Sequence, residues 1–405
     1  MIGASRLQLS GIKRICDFFR MKRTGTIVYI GGFEMPDKNA AAHRVLNNAK
    51  IFRELGYHVV FCGVDHDITE NAKEVSKIDS FDNIPAAYPR STAEWVQQQI
   101  DFSHIKKALE LYNDVKYVVA YNMHALPLFR LQRYAKKKNI SVIADVTEWY
   151  GYFFSLKPQK FIRWLDTNIV MRYLTKKVDG LIAISSYLKK YYQKYVENII
   201  VVPPLVDLTE DVWQVDCGKK NDCLEFVYSG VPGSRNEKDK MGLIIECLGK
   251  LPAEKQFMFT VIGITEPQFL AIYPELGKTL EKLNGKIQFR GRVSHRDSIV
   301  ALKKADYTLI IRDRNRKNMA GFPTKFVECY TSGIGIIIND FSDVAQYIPK
   351  DGKNILINSS EIVQVLDALQ DVFKGDLQKI RYERMNNRKE FDFRNWKSVF
   401  ELLIA

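Results

Sequence analysis

A strand, a helix and a second strand follow one another in TIVYIGGFEMPDKNAAAHRVLNNAKIFRELGYHVVFCG (residues 26–63). The stretch begins and ends with a short apolar run, which is typical of a buried strand. Between the two runs, Val45, Ala49 and Phe52 recur at the i, i+4 and i+7 positions of one helix face. Gly56 follows this pattern, at a position where helices commonly end. The stretch therefore predicts a βαβ unit with two parallel strands.

The same alternation continues along the chain. Apolar runs that predict strands lie at 117–121, 141–146, 180–185 and 198–203, and then at 225–230, 259–264, 286–291, 307–312, 335–339 and 355–358. Continuously apolar strands separated by helices favour parallel sheets that are covered on both faces. A polar stretch that contains two prolines, 203–223, interrupts the rhythm. We therefore predict an α/β protein with two doubly wound sheets and a ligand cleft beyond the carboxyl ends of their strands.

The chain length, 405 residues, exceeds what a single hydrophobic core usually serves. We assign residues 1–25 to an N-terminal extension, 26–205 to a first Rossmann-like domain, 206–222 to a linker and 223–390 to a second Rossmann-like domain. The tail, 391–405, has apolar residues at helical spacing. Its period alone leaves open whether it packs on the second domain or crosses back to the first.

Composition indicates a globular protein of the cytoplasm. Apolar residues make up 46% and charged residues 26% of the chain, and no apolar run approaches the roughly 18 residues of a membrane-spanning helix. Charges interrupt the start of the chain, where a signal peptide would have an apolar stretch. The six cysteines lie far apart without a CxxC pair, so we expect free thiols, no metal site and metal-independent chemistry.

The net charge of +13 implies an anionic partner. Basic residues cluster at the N-terminus and at 136–138, 176–177 and 187–195, often beside aromatic residues. These clusters suit an anionic membrane surface, although solvated helix faces explain them equally well. The N-terminal extension adds an apolar set that could share one helix face, namely Leu7, Ile12, Ile15, Phe18 and Phe19. No recognised nucleic-acid module is present, so we expect no nucleic-acid partner.

Two glycine-containing loops follow predicted strands. In the first loop Gly31 and Gly32 are adjacent, which does not fit the G-x-G-x-x-G spacing of dinucleotide sites and argues against a nicotinamide cofactor. This loop either lets a substrate approach the backbone or forms a plain tight turn. The second loop, 228–240, combines glycines with cations ahead of a helix, which predicts a phosphate site or else an exposed basic turn. Its candidate ligands are Gly230, Gly233, Arg235, Lys238 and Lys240.

A third motif is AGFPTKFVECYTSGIGIIIND (320–340), a glycine-proline loop that leads into a short helix and a buried strand. Here the sequence resembles the retaining nucleotide-sugar glycosyltransferases of family four, and Glu328 matches the second glutamate of the paired-glutamate motif of that family. The first glutamate lies eight positions earlier, where this chain has Ala320. The loop is closer to a polysaccharide-biosynthesis branch with GFPTK at this place. The motif at 228–248 and the segments 180–192 and 199–207 also resemble the family, in the same order.

This resemblance implies the GT-B fold, with two Rossmann-like domains that face a central cleft, an acceptor site on the first domain and a nucleotide-sugar site on the second. It also implies that the tail crosses back to the first domain. The expected substrates are a UDP- or GDP-linked sugar and a carbohydrate or lipid-linked acceptor, without a further cofactor. Residues expected around the donor are Glu328, Gly321, Phe322, Pro323 and Thr324, besides the glycines and Lys240 of the loop 228–240.

The chemistry of glycosyl transfer indicates which of these residues are candidates for catalysis. Cleavage of a sugar–phosphate bond leaves extra negative charge on the diphosphate, so catalysis needs cations aimed at it, and Arg235, Lys238 and Lys325 are our candidates. Glu328 is expected to accept hydrogen bonds from the ribose hydroxyls; otherwise it pairs with Lys325 on the helix surface.

On the acceptor side, Asp145 and Glu148 stand where many relatives have a histidine, and His124 follows an adjacent strand. All three are expected to face the cleft, although His124 is equally interpretable as a structural histidine. Asn39, His43 and Arg44 open the first helix, where they either contact an acceptor phosphate or cap the helix.

Two other functions fit the same sequence. A nucleotide-sugar epimerase of the same two-lobed shape would need no acceptor. A protein that binds nucleotide sugars or carbohydrates without turnover is suggested by Ala320, since the first motif glutamate is missing.

Overall fold

The computed structural model of the protein describes residues 24–151, 157–215, 223–233, 235, 238–349, 353–375 and 388–404. Residues 1–23 of the N-terminal extension, with the amphipathic pattern and Cys16, lie outside the described residues. So do residues 216–222 of the assigned linker, with Cys217. Within the described part of the chain, two large sheets form two α/β lobes. We call them the first lobe and the second lobe, in chain order.

Eight strands form the sheet of the first lobe in the part of the chain that is described. Their order across the sheet is β10-β9-β8-β7-β1-β2-β5-β4. The bounds of the strands in this lobe are β1 Gly25–Gly31, β2 Tyr57–Cys62, β3 Val64–Asp65, β4 Ser76–Ile78, β5 Phe81–Asn83, β6 Ala86–Ala87, β7 Val115–Tyr121, β8 Ser141–Val146, β9 Gly180–Ala183 and β10 Ile199–Val201. Neighbouring strands are parallel except at the edge, where β4 pairs antiparallel with β5. Strands β3 and β6 form a separate short ladder.

Helices cover both faces of this sheet. They are α1 Ala40–Glu54, α2 Thr92–Ile100, α3 Ser103–Glu110, α4 Ala125–Lys138, α5 Pro158–Ile169 and α6 Ser186–Tyr192. A short helix, α7 Asp211–Gln214, lies in the assigned linker. A π-helical turn, Val170–Leu174, and a 3₁₀ turn, Thr175–Lys177, continue from α5. The first βαβ unit, predicted from residues 26–63, is formed by β1, α1 and β2. Its two strands pair in parallel, from Gly25 with Tyr57 to Ile30 with Cys62.

Six parallel strands form the sheet of the second lobe within the described residues. The strands are β11 Leu224–Ser229, β12 Phe257–Ile262, β13 Ile287–Gly291, β14 Tyr307–Ile310, β15 Gly335–Asn339 and β16 Ile355–Ile357. The helices are α8 Met241–Lys250, α9 Glu266–Ile272, α10 Gly277–Lys282, α11 His295–Lys304, α12 Arg316–Ala320, α13 Thr324–Thr331 and α14 Ile362–Val372. A last helix, α15 Lys397–Glu401, lies in the tail of the chain. The strand order, β13-β12-β11-β14-β15-β16, is the 3-2-1-4-5-6 order of dinucleotide-binding folds.

The apolar runs in the sequence explain why these strands are central. All five residues of β15 are buried, and six of the seven residues of β1 are buried, because helices pack on both sheet faces. This arrangement confirms the predicted α/β class with parallel sheets. Cys62, Cys247 and Cys329 are part of this packing, and burial raises the pKa of each thiol to about 12.

The tail returns to the first lobe. The Phe400 ring lies 5.1 Å from the Phe52 ring of α1, and the Phe393 N–H donates to the Val206 carbonyl at 3.0 Å. The Tyr117 hydroxyl in β7 donates to the carbonyl of Ile404 at 3.2 Å. These contacts place 391–404 over the first sheet, although β16 and α14 precede it in the second lobe.

The lobes meet through residues that follow the carboxyl ends of their strands. Ser185 after β9 donates its hydroxyl to the Ala320 carbonyl at 2.6 Å, and the Ser186 N–H donates to Asp343 at 2.6 Å. The Arg316 guanidinium lies 4.3 Å from the Trp149 ring centroid. The two sheets therefore face each other with the ends at which ligands of such sheets bind.

Among the described residues, no helix has both the length and the apolar character that crossing a bilayer requires.

Candidate active site between the lobes

A glycine turn at the end of β11 holds a lysine from another helix. Gly230 has a φ of +126°, and a Cβ there would lie 3.1 Å from Nζ of Lys325. Gly263 packs against the same turn, because a Cβ on Gly263 would lie 2.5 Å from the Gly230 carbonyl oxygen. Both positions need glycine, for the backbone conformation and for the close approach. The turn therefore leaves the Lys325 ammonium directly over backbone at the carboxyl end of the sheet.

Asp239 organises the cations at this turn. Its buried carboxylate accepts from Lys325 Nζ at 2.5 Å, from Arg312 Nε at 2.6 Å and from the Tyr228 hydroxyl at 2.7 Å. Burial alone would raise the pKa of Asp239, but the charges of Lys325 and Arg312 lower it well below its ordinary value. Burial lowers the pKa of Lys325 in turn. Two cations and one carboxylate leave a net positive charge at the turn.

The N-terminus of α8 lies beside this cluster, since Asp239 precedes Met241 by two residues. Lys240, between them, forms an ion pair with Asp313 at 2.7 Å and donates to the Ser360 hydroxyl at 3.1 Å. The first N–H groups of a helix and its dipole favour negative charge. A glycine turn, a ten-residue helix and neighbouring cations together form an arrangement that suits a phosphate group.

Glu328 lies one turn beyond Lys325 on α13 and faces the first lobe. His295 at the start of α11 approaches it, with Nε2 3.5 Å from Oε1 of Glu328. The His43 ring of α1 lies 4.7 Å from the His295 ring, centroid to centroid. The hydrogen bond to Glu328 raises the pKa of His295, whereas desolvation and then His295 lower that of His43. Lys325 pairs with Asp239, so the helix-surface pair of Lys325 with Glu328 does not form.

Arg235 has different partners from Lys325. Its guanidinium pairs with Glu275 and lies 5.5 Å from the Tyr273 ring centroid, and 57% of its side chain is exposed. The structure therefore does not bring Arg235 into the Lys325 cluster, because the nearby acid of another element engages it. Lys238 is partly exposed in the same loop, and Gly233 has a φ of +82°.

Contacts on its buried side fix the position of the loop 320–324. Ala320 is fully buried and its carbonyl accepts from Ser185 of the first lobe. Phe322 packs among Phe326, Tyr347 and Phe391, and Pro323 is buried at the start of α13. Phe322 and Pro323 therefore support the loop, in contrast to the donor contacts expected of them, because their side chains fill the core behind it.

The polar side of this loop is more accessible. The Gly321 carbonyl accepts from the Ser342 hydroxyl, and Gly321 is only partly buried. Thr324 opens α13 and is also partly exposed. Of the four loop residues expected near the donor, these two retain surface that a ligand can reach.

Asp145 is buried in the first lobe. Its carboxylate accepts from Arg44 Nη2 at 2.8 Å, from the Tyr29 hydroxyl at 2.5 Å and from Asn48 Nδ2 at 3.3 Å. Its side chain is fully buried, and that of Arg44 is 4% exposed. Arg44 also donates to the Val202 carbonyl at 2.9 Å. Asp145 was expected to face the acceptor, and Arg44 either to contact an acceptor phosphate or to cap α1. They form an internal ion pair instead, since each satisfies the buried charge of the other.

A cavity of about 240 Å³ lies beside Asp145, at the carboxyl ends of β7 and β8. Glu148 and His124 line it, as do Asn122 and Tyr150. His124 Nδ1 lies 3.0 Å from an Asp166 oxygen. The Nε2 atom of the same ring is 3.0 Å from the Gln99 amide nitrogen. The structure thus brings His124 and Glu148 to one cavity, where a hydroxyl-bearing ligand would find polar partners.

The other first-lobe candidates occupy the rim of the cleft. Asn39 caps α1, because its side chain accepts from the Ala42 N–H at 2.8 Å. Gly31 has a φ of +145°, and a Cβ there would lie 1.7 Å from the Tyr121 carbonyl oxygen, so strand packing requires a glycine. A Cβ on Gly32 would meet no atom within 4 Å among the described residues. Gly32 therefore presents open backbone, whereas Asn39 and Gly31 have structural roles.

Sequence analysis missed several residues of the site. Asp239 and Arg312 meet Lys325 from 86 and 13 positions away, and His295 meets Glu328 from 33 positions away. Asp166 reaches His124 over 42 positions. Asp239 offered one signal, since it lies between two lysines directly before a helix. Arg312 follows a strand, His295 opens a helix and Asp166 lies within α5, each in ordinary sequence that gave no signal.

No group of three or more His, Cys, Asp or Glu side chains in the described part of the chain is placed to hold a metal ion.

Solved structures with the same architecture are numerous. Sucrose-phosphate synthase from Thermosynechococcus elongatus matches with a TM-score of 0.68 and 13% identity, covering 94% of this chain and 98% of that one. The chain has the GT-B fold. The UDP-forming α,α-trehalose-phosphate synthase from Burkholderia vietnamiensis matches the same GT-B architecture with a TM-score of 0.66 and 11% identity, over 94% and 100% of the two chains. Alr3699/HepE of Anabaena, solved with UDP and glucose, matches with a TM-score of 0.60 and 11% identity, over 94% and 99%.

No protein-family model matches this GT-B chain, and no curated protein sequence matches it.

Proposed function

We propose that the protein is a glycosyltransferase, which moves a sugar from a nucleotide-sugar donor to a hydroxyl of a carbohydrate or lipid-linked saccharide. One observation carries this proposal. Lys325 lies over the Gly230 turn, and Glu328 lies one turn further along the same helix, facing the first lobe. In this arrangement Lys325 is placed to bind a diphosphate and Glu328 to bind a ribose. One nucleotide can span the distance between them.

The diphosphate is assigned to the Gly230 turn and the N-terminus of α8. Lys325 and Arg312 supply positive charge there, and Lys240 lies next to the helix start. As the bond between the anomeric carbon and the phosphate oxygen breaks, its electron pair moves onto the diphosphate. Cations fixed in a partly buried site stabilise that charge more than they stabilise the intact donor. Lys238 is in the same loop and completes the set of cations that we assign to the leaving group.

The ribose is assigned to Glu328. A carboxylate can accept hydrogen bonds from two neighbouring hydroxyls, and such charge-assisted bonds are stronger than neutral ones. His295 engages one oxygen of Glu328 in the structure. Binding of the nucleotide would therefore exchange the histidine partner for the ribose. Gly321 and Thr324, which keep accessible surface in the neighbouring loop, are assigned to the sugar side of the donor.

The acceptor is assigned to the cavity of the first lobe, where Glu148 would accept hydrogen bonds from its hydroxyls. His124 lines the same cavity and is held there by Asp166 and Gln99, which engage its two ring nitrogens. The acceptor oxygen forms the new bond to the anomeric carbon on the face that the phosphate leaves, and its proton passes to the departing phosphate oxygen. Retention of configuration, as this step implies, rests on the resemblance around Glu328. Asp145 and Arg44 act as positioning residues that hold β8 and α1 together beside the cavity.

The wider setting is part of the proposal. We propose a uridine or guanosine diphosphate sugar as the donor; the matching Alr3699/HepE structures, solved with UDP and with UDP-glucose, support the uridine form. We assign the protein to polysaccharide or glycan biosynthesis in the cytoplasm, at the inner face of the membrane. The chemistry is proposed to need neither a metal ion nor a further cofactor, and nucleic acid is not a proposed partner.

A second candidate is a binder of nucleotide sugars without turnover. Ala320 favours it, because its carbonyl is engaged by Ser185 and its buried position offers no carboxylate near the donor. Such a protein would bind a nucleotide sugar and leave it intact with every acceptor.

Product analysis separates these functions. The protein is incubated with UDP- and GDP-sugars, with and without saccharide acceptors, and the products are followed by mass spectrometry and NMR. Glycosyl transfer yields a free nucleoside diphosphate and an acceptor with one added sugar whose anomeric configuration matches the donor. An altered nucleotide sugar without acceptor would identify an epimerase, and tight binding of an intact donor would identify a binder. An inverted anomeric centre would overturn the proposed retention alone.

A further inference from the structure

Three helical segments of the first lobe present apolar side chains to solvent on the side of the acceptor cavity. They belong to α2, α4 and the stretch from α5 through Lys177, which contact one another: Arg163 of α5 lies 5.5 Å from the Trp95 ring of α2, and Arg130 of α4 donates to the Ile100 carbonyl. We call the exposed surface of these segments the amphipathic face. Its main apolar residues are Ile100, Leu126, Phe129, Ile162, Leu165 and Tyr173.

The exposure of these residues is large for their type. Phe129 is 43% exposed, Leu165 is 41% and Tyr173 is 62%. Single exposed apolar residues are common on protein surfaces, but a contiguous group marks an interaction site. The spacing follows the helices, since Leu126 and Phe129 are three residues apart on α4, as are Ile162 and Leu165 on α5.

The same segments contain many more basic than acidic residues. Helix α4 contains five Lys or Arg residues and no Asp or Glu. Residues 157–177 contain six Lys or Arg and one acid, Asp166, which is turned towards His124. Helix α2 adds no cation and one acid, Glu94, so the three segments together have eleven cations against two carboxylates. A face with this composition is complementary to a surface that is both anionic and apolar just below its charges.

The amphipathic face and the acceptor cavity share the same helices. Leu128 of α4 lines the cavity, whereas Phe129, the next residue, is exposed on the face. On α5, Asp166 and Thr167 line the cavity and Leu165 is exposed. A ligand in the cavity therefore lies within one helix diameter of the face, which is about 10 Å.

We propose that the amphipathic face docks on an anionic phospholipid bilayer, and that the acceptor is a lipid-linked saccharide whose polar head enters the cavity from that surface. This inference rests on the proposed glycosyl transfer for the role of the cavity. The charge of the face selects the bilayer over a protein partner, because eleven cations next to apolar side chains match acidic headgroups over an acyl layer. The docked orientation would hold a membrane-anchored acceptor beside Glu148 and His124.

Vesicle sedimentation of the full chain tests the docking. Wild type is mixed at low salt with vesicles of phosphatidylcholine alone and with vesicles that contain phosphatidylglycerol. The apolar variant is Ile162→Ser with Leu165→Ser, and the charge variant is Arg133→Gln with Lys137→Gln. Matched controls change exposed residues of the second lobe, Leu356→Ser with Val363→Ser and Lys278→Gln with Lys374→Gln. All changed side chains are exposed, and circular dichroism and urea unfolding check that each variant is folded.

We expect wild type and both controls to sediment with the anionic vesicles and to remain in solution with phosphatidylcholine alone. Because each cation near such a surface strengthens binding about fivefold, the charge variant should lose on the order of tenfold or more in affinity. The apolar variant should lose on the order of tenfold through the buried area that it no longer contributes. Equal binding of wild type and both variants would overturn the proposal and move the membrane contact to another segment, the N-terminal extension included. Absence of binding by wild type would overturn it as well.

The acceptor class is tested separately from transfer itself. Transfer to a lipid-linked saccharide in anionic vesicles is compared with transfer to the same saccharide without its lipid, for wild type and the apolar variant. The proposal expects the variant to lose roughly tenfold in transfer to the vesicle-bound acceptor and to retain transfer to the soluble one. Equal rates on both acceptors would overturn the lipid-linked assignment while glycosyl transfer stands. If wild type binds no nucleotide sugar, the proposed function itself is wrong.

Discussion

The imidazole rings of His43 and His295 lie 4.7 Å apart across the cleft, the first on α1 of one lobe and the second on α11 of the other. His295 also contacts Glu328, the acid assigned to the ribose. The contact therefore connects the first lobe to the donor site through a single histidine. It also makes the donor site sensitive to the protonation of that histidine.

Donor affinity should rise with pH above about 6.5, the ordinary pKa of histidine. Glu328 raises the pKa of His295 in the free protein, so a nucleotide that takes Glu328 from His295 releases a proton. Affinity should then increase by up to about tenfold per pH unit until the raised pKa of His295 is passed. His43, Asp37 and Glu210 also act on His295, and the slope reports their combined effect.

Calorimetric titration of the donor at several pH values measures this slope. His295→Gln should flatten it, whereas His66→Gln, which removes a histidine paired with Glu34 in the first lobe, should leave it unchanged. A slope that persists in His295→Gln would show that another group takes up the proton.

Asp239→Asn should destabilise the second lobe strongly. The substitution leaves the Lys325 ammonium and the Arg312 guanidinium buried without their carboxylate, and breaking a buried pair in this way costs about 3–5 kcal/mol. Urea unfolding measures the change. The control Asp340→Asn breaks an exposed pair with Arg314 and should change stability by less than about 1 kcal/mol. Similar losses in the two variants would mean that Asp239 does not hold the cations as described.

Substitution of Asp145 should lower the stability of the protein, whereas substitution of Glu148 should weaken binding of the acceptor. Asp145→Asn leaves the Arg44 guanidinium buried without an anion, so we expect a loss of about 3–5 kcal/mol in stability. Glu148→Gln keeps the fold and removes one charged hydrogen-bond partner of the acceptor, which should raise the acceptor KM roughly 10- to 100-fold. Urea unfolding and steady-state kinetics measure the two effects. A stable Asp145→Asn with lowered kcat would return Asp145 to a catalytic role.

Gly230→Ala should weaken both the fold and the donor site. The new Cβ would meet the Lys325 ammonium, and the φ of +126° is strained for alanine, at a cost of about 1–3 kcal/mol. Gly277→Ala is the matched control, because Gly277 has an ordinary helical φ of −54° and open space at its Cβ. That change should stabilise the protein by about 0.4–1 kcal/mol. Thermal unfolding and donor titration of both variants check the difference, and equal effects would contradict the role of the Gly230 turn.

The sequence predicted the sheets because their strands are continuous apolar runs. The β15 segment GIIIN has no polar alternation until its end, and such a run is typical of a strand that is covered on both faces. The short edge strands β4 and β5 were not predicted, since the apolar residues in 76–83 are few and scattered. Local pattern thus identified the parallel strands, including the edge strands β10, β13 and β16, and missed the short polar strands at the other edge of the first sheet.

The donor site was only partly predictable, for a different reason. Lys325 and Glu328 belong to one helix, so their spacing alone brings them to neighbouring turns. Arg235 shares a loop with Lys240, yet Glu275 engages its guanidinium away from the Lys325 cluster. The direction of a long side chain in a loop depends on acids from other elements. Asp239 and His295 were missed because their partners are distant in sequence.

The most direct test of the account is calorimetric titration of UDP- and GDP-sugars into wild type, Glu328→Gln and the control Glu246→Gln, whose carboxylate pairs with Lys250 on the exposed side of α8. We predict that the donor bound by wild type binds Glu246→Gln equally well. Glu328→Gln should lose about 1–3 kcal/mol of binding free energy, roughly 5- to 150-fold in Kd. Equal affinity of wild type and Glu328→Gln for every donor would contradict the assignment of the ribose, and with it the central claim.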